Sequence, residues 1–123
     1  MTKNPSDLKN LNRLIHEPAR LMIISQLYVV ESADFMFLQN QLEITPGNLS
    51  SHLSKLEEAG YVEIVKEFIE RKPHTALQLT QKGRGAFKKY RQNLKQVFSN
   101  LPKEIKKPVS QKNRETKDKK IEK

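Results

Sequence analysis

At 123 residues the chain has room for one modest hydrophobic core but not for two. It contains no cysteine, which excludes disulfides, thiol catalysis and thiolate metal sites. Its net charge of +9 is unevenly placed: residues 1–79 hold 8 Lys and Arg against 10 Asp and Glu, whereas residues 80–123 hold 15 against 4. Such a charge favours polyanions in general and specifies no sequence. No apolar run approaches the ~18 residues of a membrane span, and MTKNPSDLKN lacks an apolar leader core, so a cytoplasmic protein without membrane contact is expected.

Residues 6–15, SDLKNLNRLI, place Leu8, Leu11 and Ile15 on one helical face behind Ser6 as cap. A second helix is predicted from Pro18 through ARLMIISQLYVV. Leu21, Ile24, Leu27 and Tyr28 form its inward face, and Met22 and Ile23 widen it toward burial. Glu31-Ser32-Ala33-Asp34 breaks that helix. FMFLQNQLEI then gives a short helix anchored by Phe35 or Phe37, Leu38, Leu42 and Ile44, and only Glu43, Ile44 and Thr45 separate it from the next one.

That next helix, TPGNLSSHLSKLEEAG, has Thr45 as N-cap, Pro46 at its first position and Gly60 as terminator. Leu49, Leu53 and Leu56 make one apolar stripe, and the opposite face carries Gly47, Asn48, Ser51, Ser54, Lys55 and Glu58. Short, mostly uncharged polar side chains of this kind suit contact with base edges in a major groove. The strand YVEIVKEF follows, with Val62, Ile64, Lys66 and Phe68 as its expected core side. A basic loop, IERKPHT, and a second strand, ALQL, complete a hairpin. Arg71, Lys72 and His74 at its tip are placed to touch phosphate or a minor groove, and Pro73 belongs in the loop because it cannot serve a central strand.

Thr80 caps a final helix on which Phe87, Tyr90, Leu94, Val97 and Leu101 step as a heptad seam. Paired with Leu8, Leu11 and Ile15, that seam predicts a homodimer. Residues 102–123 hold three aliphatic side chains, no aromatic and two prolines, so a disordered basic tail is expected beyond a folded unit of residues 1–101. The fold class is mainly α with a small β-hairpin wing (α+β), a winged helix-turn-helix with a long C-terminal helix.

LSSHLSKLEEAGYVEI, RKPHTALQLTQKG and ARLMIISQL resemble the winged-helix regulators of bacteria and archaea, MarR-like and ArsR-like, and above all a small winged helix DNA-binding domain branch. The resemblance covers roughly residues 10–98. It implies a homodimer whose recognition helices enter successive major grooves while the wings touch flanking backbone. On the family pattern the base-reading positions are Asn48, Ser50, Ser51, Ser54 and Lys55, and Arg71 is the wing contact; the helical wheel sets Ser50 on the flank. The chain departs from metal-sensing relatives in having no cysteine and only His16, His52 and His74, in different elements. No metal or other cofactor is therefore expected. It also departs from the longer MarR-like members, whose extra helix at both ends forms a ligand crevice. Its short N-terminal helix and one long C-terminal helix count against small-molecule sensing, and no effector is specified.

Catalysis is not expected. The four glycines form no phosphate loop, and the adjacent Ser51 and His52 point about 100° apart on a helix, unable to pair as nucleophile and base. Glu57-Glu58 reads as a solvated pair at the helix end, and His52 as a half-buried packing residue. The expected function is sequence-specific double-stranded DNA binding by a dimeric transcriptional regulator. Repression is the default output of a chain this short. Two alternatives stand: a winged-helix module for protein contact, favoured by the net −2 of residues 1–79, and an architectural DNA binder with little sequence preference.

Overall fold

Polar caps set where the helices begin. In the structure, a computed structural model that describes residues 11–105 and 108, Glu17 accepts a hydrogen bond from the Arg20 amide at 2.7 Å and opens α1, Pro18–Tyr28. Asp34 accepts from the Met36 and Phe37 amides at 3.0 and 3.3 Å and opens α2, Phe35–Leu42. Thr45 accepts from the Asn48 amide at 3.1 Å at the start of α3, Pro46–Glu58, and Thr80 from the Gly83 amide at 2.9 Å at the start of α4, Gln81–Ser99. Each cap satisfies a donor the first helical turn would otherwise leave open. Past the end of α3 the backbone turns left-handed at Gly60, φ 81°, where a side chain would be strained.

One core joins these elements. Ile23, Ile24 and Leu27 of α1, Leu38 of α2, and Leu49, Leu53 and Leu56 of α3 are buried together with Val62, Leu77, Leu79, Phe87 and Tyr90. The inward stripe of α3 is as the spacing predicts. On α1 the expectation needs correction: Met22 is exposed, while Ile23 is fully buried and Leu21 and Tyr28 only partly.

The sheet also departs from expectation. Among the described residues there are three strands, β1 (Ala33–Asp34), β2 (Val62–Ile69) and β3 (Lys72–Leu79), in the antiparallel order β1-β3-β2. Ala33 and Asp34, expected only to break a helix, pair with Leu77 and Ala76. The hairpin is tighter than a seven-residue loop, because Ile69 pairs with Lys72 and only Glu70 and Arg71 turn, both left-handed at φ 53° and 68°. That is the geometry a two-residue hairpin demands, here supplied without glycine. Pro73 accordingly lies inside β3, opposite Phe68. In such a hairpin the pair flanking the turn is hydrogen-bonded and the next pair is not. The N–H that Pro73 lacks would thus point to the edge that β1, two residues long, never reaches.

Of the positions assigned to dimer pairing, Leu11, Ile15, Phe87 and Tyr90 are consumed by the chain's own core. Residues 13–15 form a turn rather than the end of a helix, Asn12 Oδ1 accepting from the amides of Leu14 and Ile15 at 3.0 and 3.1 Å. Leu8 and the rest of residues 1–10 lie outside the described residues. Leu94 packs partly against the core, Val97 is half-buried, and Leu101 is 59% exposed. The expected disorder beyond Leu101 falls mainly outside the described residues; residues 101–105 carry neither helix nor strand.

Part of the basic charge of α4 is engaged within the chain. Lys82 lies over the Tyr61 ring at 6.0 Å, and Arg84 and Arg91 lie over Tyr28 at 5.2 and 5.9 Å. Arg84 also donates to the Tyr28 carbonyl at 3.0 Å. The two arginines tie the last helix to the end of α1, and Lys82 ties it to the residue before β2.

Candidate nucleic-acid interface

The turn from α2 to α3 is three residues, with Glu43 left-handed at φ 53° as the cap of α2 and Thr45 as the cap of α3. This short link holds α3 across α2 with its apolar stripe down. Asn48, Ser50, Ser51, Ser54 and Lys55 are all exposed. At about 100° per residue, Ser51 marks the middle of the outward face, flanked by Lys55 and Asn48 on one side and Gly47 and Ser54 on the other. Ser50 and His52 lie on opposite flanks. Glu57 and Glu58 sit at the C-terminal end, away from the N-terminal half that reaches bases in helix-turn-helix docking.

Each flank faces a different neighbour. His52, half-buried, receives a hydrogen bond on Nδ1 from the Arg20 guanidinium at 3.0 Å, and Arg20 donates through Nε to the Leu14 carbonyl at 2.6 Å. Glu17 Oε1 is 3.9 Å from the same imidazole nitrogen. This polar network braces α3 against the start of α1. On the other flank, Ser50 and Ser54 face the wing across a cleft of about 290 Å3, lined also by Phe35, Leu53, Ile64, Lys66 and Thr75.

Strand register assigns the wing side chains to faces, since directly opposed residues share one. The pairs Val62–Leu79, Ile64–Leu77, Lys66–Thr75 and Phe68–Pro73 point toward the helices, and they pass from buried to fully outside along the strand. Phe68, expected on the core side, is on that face but 75% exposed, because the hairpin outruns the body. The opposite face carries Glu63–Gln78, Glu67–His74 and Ile69–Lys72. Lys72 and His74, read as wing contacts beside Arg71, therefore point away from the recognition helix. His74 Nδ1 is 3.3 Å from Asp34 Oδ1, at the cap of α2. Arg71 occupies the tip itself. Sequence reasoning passed over Lys66; its signal was a lysine in phase with apolar residues on a strand too long for the core.

Among the described residues, four helices and a three-stranded wing sheet, with the second of the central helices presenting a polar outer face, make a winged helix. Residues 19–98 match the family described as winged helix DNA-binding domain. The chain belongs to that family. It is similar to an uncharacterized protein of Methanocaldococcus jannaschii, 38% identical over 89 residues that span 72% of this chain and 97% of the other. Among solved structures, a transcriptional regulator homologue from Pyrococcus horikoshii OT3 is 34% identical, with a TM-score of 0.74 over 78% of this chain and 97% of that one. A MarR-family chain from Enterococcus faecalis V583 shares the fold at 19% identity and a TM-score of 0.58, over 82% of this chain and 96% of the other. Within this winged helix no three His, Asp or Glu side chains gather among the described residues, and no described helix is long and apolar enough to cross a membrane.

Proposed function

We propose that the chain binds double-stranded DNA sequence-specifically as a homodimer in the cytoplasm and represses transcription by occupying its site. The observation that carries this reading is the outer face of α3, where exposed Asn48, Ser51, Ser54 and Lys55 present small donors and acceptors above a fully buried leucine stripe. A protein-docking helix would favour aromatic or aliphatic anchors there. The likeness to transcriptional regulators supports the regulatory role.

In this account Asn48, Ser51, Ser54 and Lys55 meet base edges, and Arg71 at the wing tip meets the backbone or minor groove beside them. The dimer forms through the exposed end of α4 and the residues just past it, where Val97 and Leu101 continue the seam beyond the core and the exposed Phe98 lies beside them. A single winged helix reads only a few base pairs, so two-fold pairing doubles the site. Residues 102–123, with nine Lys and Arg against four acidic residues, add attraction to any duplex. Selection of bound duplexes from a random pool tests the reading: one enriched, two-fold related sequence is expected. Binding without enrichment would favour an architectural binder, and no binding would favour a protein-contact module.

A further inference from the structure

The cleft between α3 and the wing holds chemistry that base reading leaves unused. Lys66 stands on its rim, exposed, opposite the hydroxyl of Thr75 across the hairpin, with Ser50 and Ser54 on the facing helix. Lys66 makes no ion pair with a described residue. The neighbouring strand acids, Glu63 and Glu67, project from the other face.

We propose that this cleft grips one phosphodiester of the DNA backbone, with the Lys66 ammonium and the hydroxyls of Ser50 and Thr75 donating to its non-bridging oxygens. The inference rests on the DNA-binding reading above and adds the residues that hold the backbone. Its geometry follows from the duplex. With α3 in a major groove and the wing tip at the adjoining minor groove, the ridge between them is the sugar–phosphate strand, and the cleft between α3 and the wing lies opposite that ridge. The donor set matches as well: a phosphodiester carries one charge and accepts several hydrogen bonds, and the rim offers one cation and neutral hydroxyls. Beneath the rim, Leu53 is buried and Ile64 half-buried, an apolar floor that limits screening of the lysine–phosphate attraction. Ser50 thereby gains a role its angle permits, since it lies about 100° from Ser51 and cannot share a base edge with it. It holds backbone rather than reading bases.

The test is Lys66→Ala in the full chain, with Lys66→Met keeping the aliphatic stem, on a preferred and a random duplex across a salt series. The log–log salt slope should fall by about 0.9, with about fivefold weaker binding at 0.15 M salt on both duplexes. Ser50→Ala and Thr75→Val should move affinity the same way by less. A duplex with one neutral methylphosphonate, scanned along the strand, should weaken the parent chain at the gripped position and leave Lys66→Ala unaffected there alone. Unchanged thermal melting confirms that the variants fold. If the parent chain binds duplex and Lys66→Ala matches it in affinity and slope, the cleft is not a phosphate grip. If Lys66→Ala instead alters base preference, it is a reader and the proposal fails. Saturable binding of inorganic phosphate at the cleft without DNA, seen in the amide resonances of Ser50 and Thr75, would make it a free-anion site and also overturn the proposal. A parent chain that binds no duplex brings down the DNA reading and this inference together.

Discussion

Gly83 packs directly against the carbonyl of Tyr61. A Cβ added at Gly83 would fall onto that carbonyl oxygen and lie 2.9 Å from Cδ1 of Leu79, so only glycine lets the start of α4 approach the end of α3 and the wing. The same carbonyl accepts from the Thr80 amide at 2.9 Å, and the Thr80 hydroxyl donates to the Gly60 carbonyl at 2.6 Å. The backbone here cannot retreat without losing those bonds.

Substitution at the two helical glycines should therefore have opposite signs. Gly83→Ala is expected to destabilise by about 1–3 kcal/mol through overpacking. Gly85→Ala, whose added methyl meets nothing within 4 Å, should stabilise by up to ~1 kcal/mol from helix propensity. Thermal melts of the two variants decide the point, and equal shifts would contradict the packing described.

Much of this was legible in the sequence because the signals were local. Thr45, Pro46 and Thr80 marked helix starts by their own side chains, and the spacing of Leu49, Leu53 and Leu56 fixed which face of α3 is buried. The misreadings came from relations between distant segments. A strand of two residues, Ala33 and Asp34, has no period to detect; it exists because β3 offers an edge. Glu70 and Arg71 gave no glycine signal for a tight turn, which moved Pro73 out of its predicted loop. Phe87 and Tyr90 sit in a heptad seam on paper, yet Phe87 meets the Tyr28 ring at 5.0 Å and Tyr90 is 2% exposed. In the candidate interface the exposed face of α3 was readable, whereas the cleft was not, since Lys66 and Ser50 meet only through tertiary packing.

The Arg20–His52 contact fixes a tautomer. A guanidinium can only donate, so Nδ1 of His52 must accept and its proton must reside on Nε2. Imidazole nitrogen shifts of the neutral form should show the proton on Nε2, and Arg20→Ala should release that tautomer preference while costing on the order of 1 kcal/mol. A majority Nδ1–H tautomer in the parent chain would contradict the bracing of α3 by α1.

Burial pushes the Tyr90 phenol above its usual range, and its hydroxyl lies 2.8 Å from Nδ1 of His16. A pKa higher in the folded state means that the folded chain holds this proton more tightly. The stabilisation is complete below about pH 10, the unfolded value, and is lost as pH rises through the folded value. The stability difference between the parent chain and Tyr90→Phe should be constant to about pH 9 and shrink above it, from about 1 kcal/mol for the lost hydrogen bond. A difference that grows with alkaline pH would reverse the sign.

Pairing through the far end of α4 makes a separable claim. Phe98 is 62% and Leu101 59% exposed, whereas Leu94 packs partly against the core. Phe98→Asp or Leu101→Asp should therefore give a folded monomer with weakened DNA binding, without the loss of stability that Leu94→Asp would add. Sedimentation at micromolar concentration reads the outcome, and a parent chain that stays monomeric on DNA would exclude the dimer.

The account turns on which element reads and which holds. Ser51 and Lys55 lie four residues apart on the outward face of α3, and Arg71 lies at the wing tip. Competition binding between the preferred duplex and scrambled duplexes, for Ser51→Ala, Lys55→Ala and Arg71→Ala, measures this directly. Ser51→Ala and Lys55→Ala should each lose about 1–3 kcal/mol of discrimination per good base contact. Arg71→Ala should weaken all duplexes alike and lower the salt slope by about one. Sequence preference that survives both helix substitutions and disappears with Arg71→Ala would contradict the account, because the wing would then be the reader.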